Sequence, residues 1–161
     1  MHTLLLICSV LAATVPMAGC LGLIWWLDRY NREPVQLVTA VFAWGAIFAI
    51  IGSFAISSIG SMAMTQLLGD QNADLLGTMF LAPIVEEPMK AGILLVVAST
   101  RWFDNTTDGF VYGAATGLGF AMTENLLYFY AHIEGGAEQW LYVVLVRTVC
   151  TGMMHALASA V

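Results

Sequence analysis

Five apolar runs, near residues 4–27, 35–60, 77–98, 108–130 and 140–161, follow one another with only short polar stretches between them. At about 1.5 Å per residue, each run can cross a hydrocarbon core of about 30 Å as a helix. The same pattern argues against strands: barrel strands alternate apolar and polar positions, and open sheet edges are not left in hydrocarbon. The chain is therefore expected to be all-α, a single domain over residues 1–161 built as a polytopic transmembrane bundle of about five helices.

Composition strengthens this expectation. Hydrophobic residues make up 60% of the chain and charged residues 10%, whereas soluble domains carry roughly a quarter charged residues. A soluble domain of this length could not cover so much apolar surface. The first run could be read as a removable signal peptide, but no basic flank precedes it and no persuasive cleavage site precedes Asp28, so a retained helix is expected. Cys8, Cys20 and Cys150 all lie in apolar runs and are odd in number, which speaks against a disulfide framework.

Loop charges orient the bundle. Arg29 and Arg32 occupy the first loop and Arg101 the third. The second loop (Gln66 to Ala73) and the fourth (His132 to Glu138) hold acidic residues and no Lys or Arg. The positive-inside rule places the N-terminus outside and the first and third loops in the cytoplasm of a cell-membrane protein. The net charge of −6, with no basic patch, excludes nucleic acid as a partner; the bilayer is the expected surround. Trp25, Trp26, Trp102, Tyr128, Tyr130 and Trp140 read as interfacial anchors. Gly113, Gly117 and Gly119, with Ala114 and Ala115, give the fourth helix a small-residue surface, which suits a central position; the first helix is expected to face lipid. Thr106, Thr107 or Asp108 is expected to cap the fourth helix.

Chemistry is suggested by charges at membrane depth, where each ionised group costs at least ~2.5–3.5 kcal/mol. Glu86, Glu87 and Lys90 lie in the third run, Glu124 with Asn125 in the fourth, and Arg147 and His155 in the fifth. Glu86 and Lys90, four apart, share a helix face, and Glu87 is rotated from it by about 100°. Pro83 and Pro88 should loosen the backbone ladder beside the carboxylates. Counted from the outer boundary, Glu86 lies about ten residues deep, Glu124 about six, Arg147 about eight and His155 about sixteen. Arg147 thus matches the carboxylates in depth better than His155 does, and a site joining His155 to the glutamates needs a tilted or late-entering fifth helix.

Adjacent carboxylates and a histidine suit activation of water: one glutamate takes the proton and delivers it to a leaving amine. The histidine either orients the water and stabilises an oxyanion or binds a divalent metal with glutamates. There is no HExxH, no serine elbow and no GxGD-like aspartate pair. A structural ion-pair network and a proton relay use the same charges, so both stay open at this level.

Four segments carry a resemblance beyond periodicity: LDRYNREP at 27–34, APIVEEPMK at 82–90 with an EExxK motif, DGFVYGAATGLGFAMTENLLYF at 108–129 with FxxxE followed by Asn125, and RTVCTGMMH at 147–155. Together they resemble the PrsW family of membrane proteases, related to the CAAX prenyl endopeptidases. The resemblance implies an intramembrane endopeptidase acting on membrane-anchored protein substrates. It implies Glu86, Glu87, Glu124 and His155 as catalytic residues, with Lys90, Asn125 and Arg147 in support. Glu87, Glu124 and His155 are the implied ligands if a divalent metal such as zinc is used. Glu124 stands where the CAAX-type motif has histidine, which weakens direct transfer of that metal model. The sequence ends six residues after His155, whereas family members continue through further apolar segments, so a C-terminally shortened chain is expected. A non-catalytic scaffold or substrate-binding protein is the alternative, and a proton-coupled transporter a more distant one, disfavoured by the lack of an inverted repeat.

Overall fold

The computed structural model describes residues 2–28 and 32–160; Arg29, one of the two first-loop cations, lies outside the described residues. Five helices account for the described fold. α1 is His2–Leu27 and α2 is Val35–Leu68, with a π-helical turn at Trp44–Ala49. α3 covers 70–98 with a π-turn at Gly77–Leu81, α4 is Thr106–Ala131, and α5 covers 136–160 with a π-turn at Arg147–Thr151. Among the described residues there is no strand. By length and composition α1, α2 and the stretch Ile133–Ala160 can each cross a membrane. The outward faces of these helices are apolar, with Leu4, Val15, Phe54, Ile59, Tyr142 and Met154 exposed, as a lipid-facing surface requires.

Two boundaries differ from the sequence expectation. α2 continues from the expected end at 60 to Leu68, and α3 starts at Asp70 rather than 77. The polar stretch expected as a loop is thus helical on both sides of one residue, Gly69, whose φ of 78° reverses the chain at little steric cost for glycine. At about 51 Å for 34 residues, α2 exceeds the hydrocarbon thickness, so its polar end can stand clear of the lipid as helix. Counted from the helix starts, Glu86 lies sixteen residues beyond Asp70 and His155 nineteen beyond Gly136, which halves the expected depth mismatch.

α4 is central and packs against all four other helices. Its residues Val111 to Ala121 are buried without interruption, which explains how a helix of modest hydropathy lies inside the bundle. Glycine makes this possible. A β-carbon at Gly113 would overlap the Ser159 carbonyl and one at Gly117 the His155 carbonyl, so α5 lies directly on the α4 backbone. On another face, Gly119 receives the Phe42 carbonyl, and Gly45 of α2 receives that of Thr116. Small residues at helix crossings permit such approach, and van der Waals contact then holds the helices. α1 touches this core through a narrow stripe at Leu5, Ser9, Ala13 and Met17 and is otherwise largely exposed. Trp140 is buried, and its indole N–H donates to Ser9 Oγ at 2.9 Å, which provides the partner a buried indole needs.

At the opposite end from the α2–α3 reversal, α4 opens with a capping box. Asn105, not Thr106 or Thr107, is the N-cap. Its side chain accepts from the backbone N–H of Thr107 and Asp108, and Asp108 Oδ2 accepts from Asn105 N–H at 3.0 Å and Asp104 N–H at 2.8 Å. The segment before α2 is fastened to this end. Trp25 Nε1 donates to the Glu33 carbonyl at 3.0 Å, and the Tyr112 hydroxyl donates to the buried Glu33 carboxyl group. Burial, with Asp108 and Asp28 nearby, pushes the Glu33 carboxyl up to about 7, against the opposing Tyr112 hydrogen bond.

Two outcomes follow from this packing. Gly117→Ala should destabilise the protein by at least about 1–3 kcal/mol, the usual scale of overpacking, whereas Gly22→Ala, with open space around it, should not; thermal unfolding in detergent compares them. For Glu33, the folded chain keeps a proton between pH 4.5 and about 7 that the unfolded chain has lost. Its contribution therefore makes stability fall as pH rises through that window, by up to about 3 kcal/mol. Glu33→Gln should flatten that part of the pH–stability curve.

Candidate functional site

α3, α4 and α5 bring the sequence-selected charges into one cluster. On α3, the Lys90 ammonium is fully buried. It lies 2.7 Å from Glu87 Oε1, 3.4 Å from Glu86 Oε2 and 3.0 Å from His155 Nδ1. The Phe120 ring of α4 closes the remaining side, with its centroid 4.1 Å from Nζ. The i,i+3 and i,i+4 spacing that put three charges on one helical surface is thus completed across the bundle by an imidazole and an aromatic face. Both carboxylates are partly accessible, Glu87 more than Glu86.

These contacts assign the imidazole's protons. An ammonium only donates, so Nδ1 accepts from Lys90 and carries no proton; the ring's N–H is then on Nε2, which donates to Glu124 Oε2 at 2.9 Å. The His155 ring is thus engaged at both nitrogens, with Nδ1 turned toward Lys90 and the Glu86–Glu87 pair around it. Glu124 holds that orientation and is itself held by Arg147, whose Nη2 lies 2.6 Å from the same oxygen. That contact is an ion pair whose angles fall short of a directed hydrogen bond. Arg147 Nε donates to Asn125 Oδ1 at 3.1 Å, and its guanidinium lies 3.6 Å from the Tyr128 ring centroid. Asn125 therefore bonds across helices.

Arg147 and His155 are eight residues apart, which in a regular α-helix would place them about 80° apart around the axis. The π-turn between them, where Gly152 N–H bonds back five residues to Arg147 O, absorbs one residue and reduces that angle to about 20°. Both side chains then reach Glu124, Arg147 because its side chain is long. A second π-turn precedes the glutamates, where Ala82 N–H bonds to Gly77 O and Pro83 brings no N–H to the ladder. The helix runs on through Pro88. A third, in α2, brings Trp44 Nε1 to the Met89 carbonyl at 3.0 Å and leaves the Ala46 carbonyl to accept from Thr123 Oγ1 at 2.8 Å, one residue before Glu124.

All seven residues singled out in the sequence belong to this cluster, but the group able to hold a metal differs from the expected one. One donor atom each from Glu86, Glu87 and His155 lies within 4.8 Å of the others. Glu124, expected as a ligand, is instead engaged by Arg147 and His155. Sequence reasoning missed Phe120 as a wall of the Lys90 cage. It also missed Ser159, whose hydroxyl lies 3.4 Å from Glu87 Oε2, and Ser53. The spacing of Phe120 before Glu124 was visible, whereas nothing local marks either serine.

A groove of about 370 Å³ runs beside the cluster between α2, α3 and α4, from Glu86 and Glu124 to His132 at the end of α4. Glu86 therefore faces both the charged cluster and an open space.

Residues 33–161 match a family model described as PrsW family intramembrane metalloprotease. The chain is similar to Protease PrsW of Bacillus subtilis (strain 168), with 30% identity over 155 residues, covering 93% of this chain and 63% of that protein. It is 30% identical over 133 residues to Protease PrsW of Clostridioides difficile (strain 630), covering 80% of this chain and 53% of the relative. With Protease PrsW of Geobacillus kaustophilus (strain HTA426) it shares 28% identity over 152 residues, covering 93% and 61%. The chain thus spans less than two thirds of the length of these relatives. No solved structure matches it.

Removing one partner of a buried ion pair typically costs about 3–5 kcal/mol, because the other charge is left uncompensated. Arg147→Met should therefore lower stability on that scale, and adding Glu124→Gln should restore much of it. A double-mutant cycle by thermal unfolding in detergent measures the coupling; simple additivity would mean that the pair does not act as a unit.

Proposed function

Since the chain belongs to the PrsW family of intramembrane metalloproteases, we propose that it hydrolyses a peptide bond of membrane-anchored protein substrates at the Glu86–Glu87–His155 cluster. The observation that carries this reading is the convergence of two carboxylates and one correctly oriented imidazole within 4.8 Å inside an apolar bundle. A groove opens beside them. An ion-pair network that served only to lock helices would not need that open space next to its carboxylates.

The roles follow from the contacts. Glu86, which faces the groove, takes a proton from the attacking water and returns it to the leaving amine. Glu87 and His155 flank the same point. Glu124 keeps the His155 N–H on Nε2, so that Nδ1 presents its lone pair to the Lys90 ammonium, and Arg147 holds Glu124 in place. Lys90 offsets the repulsion between the adjacent carboxylates, and the Phe120 face holds the ammonium where it reaches both.

The donor set fits a divalent metal. Imidazole nitrogen and carboxylate oxygen are both usual zinc donors, and a carboxylate on the other ring nitrogen is the usual support of a ligating histidine. Glu87 and His155 would hold the ion, with Glu86 beside it on the groove side as the base, and Glu124 would act through His155. Their donors already surround one cation, the Lys90 ammonium, so an ion would share or take over its contacts. A bound divalent ion would supply Lewis acidity toward the scissile carbonyl.

Substrates enter laterally from lipid, because the cluster lies within the bundle and the groove opens along its side. The test is cleavage of a panel of single-pass membrane proteins in cells, comparing the native chain with Glu86→Gln and Glu87→Gln at matched membrane expression. Loss of product by about 100-fold or more is expected for Glu86→Gln, the scale of general acid–base catalysis. Equal cleavage by native and substituted chains would refute the assignment.

A further inference from the structure

Ser53 stands out among the serines of α2. Ser58 and Ser61 donate to the carbonyls four residues back, at 2.7 and 2.8 Å, the bond that helix serines usually make in an apolar setting. Ser53 is buried, yet its hydroxyl has no partner. It lines the groove that contains Glu86 and Glu124, and Ser57, one turn on, lines the same wall. A buried polar group without a partner is costly, and the groove is the open space that adjoins this one.

We propose that this groove binds the unwound segment of a transmembrane substrate, with Ser53 and Ser57 hydrogen-bonding its backbone. The inference rests on the proteolytic reading above and names how the substrate is held. A peptide bond inside an intact helix is shielded by neighbouring turns, so hydrolysis within a membrane requires local unwinding. The unwound segment then carries unpaired N–H and C=O groups that hydrocarbon cannot satisfy. A serine hydroxyl serves either group, because it both donates and accepts. The spacing also fits: hydroxyls four residues apart on a helix are separated by about 6 Å along its axis, and same-side backbone groups of an extended chain repeat every ~6.6 Å. The two serines offer successive contacts to one edge of an extended peptide, which leads it toward Glu86 and Glu124. Tyr128 and His132, farther along the groove, supply an aromatic rim.

Disulfide mapping tests this. In the full chain with Cys8, Cys20 and Cys150 replaced by alanine, single cysteines are placed at Ser53, Ser57 and, as lipid-facing controls, Ile51 and Ile59, which are 63% and 70% exposed. The probe is a synthetic Lys-flanked Leu/Ala transmembrane peptide of about 20 residues with a central Gly-Pro pair and one cysteine, reconstituted with the protein in liposomes. Oxidation should cross-link the peptide to Ser53→Cys and Ser57→Cys and not to the controls. Moving the peptide cysteine by two residues should shift the preference from one to the other, and a peptide without Gly-Pro should cross-link far less. A required shift of four residues would mean helical docking and would overturn the extended arrangement. Independently, Ser53→Ala, a substitution small enough to fold, should raise KM for peptide cleavage roughly 3- to 10-fold with kcat unchanged, the loss of one binding hydrogen bond.

The outcomes separate the two claims. Cleavage of the peptide with cross-links no stronger at 53 and 57 than at 51 and 59 overturns the groove and leaves the proteolytic reading standing. Cross-links in the expected pattern without cleavage by the native chain support the groove as a binding site and count against proteolysis. Neither cross-linking nor cleavage overturns both.

Discussion

Taking a carboxylate out of water costs several kcal/mol even after relaxation, and Glu124 recovers that cost from a single helix. Arg147 and His155 of α5 both close on its Oε2. This three-residue junction ties α5 to α4 at two levels, sets the imidazole's tautomer and thereby decides which nitrogen faces the α3 glutamates. The orientation of the candidate site therefore depends on Glu124, although Glu124 stands outside the group that could hold a metal.

That junction exists because α4 and α5 lie backbone to backbone. Gly113 and Gly117 admit the Ser159 and His155 carbonyls, so the residue that orients toward the glutamates is also a residue at which the helices touch. Packing and chemistry are coupled here. A methyl group at Gly117 would push against the backbone of His155 itself, and even a small displacement of α5 would lengthen the contacts to Lys90 and Glu124. The same logic on another face of α4, through Gly119 and Gly45, fixes the α2 wall of the groove relative to Glu124.

Lys90 is the least expected element. A fully buried ammonium among two carboxylates, an imidazole and an aromatic face has its charge matched on every side. It lets adjacent glutamates coexist in an apolar bundle. It also draws together the donors of a cation site, so an arrangement that stabilises the fold is close in geometry to one that would bind a metal. The charge of Glu124 on α4 is balanced separately by Arg147, and the His155 ring joins the two clusters.

Much of this was legible in the chain itself. Hydrophobic runs long enough to span a bilayer determine an all-helical multi-pass protein, because lipid leaves the backbone few other ways to satisfy its hydrogen bonds. Ionisable residues at membrane depth are costly enough that Glu86, Glu87, Lys90, Glu124, Arg147 and His155 could be singled out by type and position alone. The small-residue surface of α4 likewise indicated its central place. The tertiary structure decided which of these residues meet. The one-residue reversal at Gly69 and the π-turns in α2, α3 and α5 shift depth and angular position by amounts that periodicity does not encode, since each depends on how neighbouring helices accept a displaced carbonyl. Those shifts put Glu86 with Glu87 and His155, set Glu124 between His155 and Arg147, and leave Ser53 beside a groove with its hydroxyl unpaired. Sequence determines which side chains cannot be left alone in lipid; only the packed bundle determines the partner each one finds.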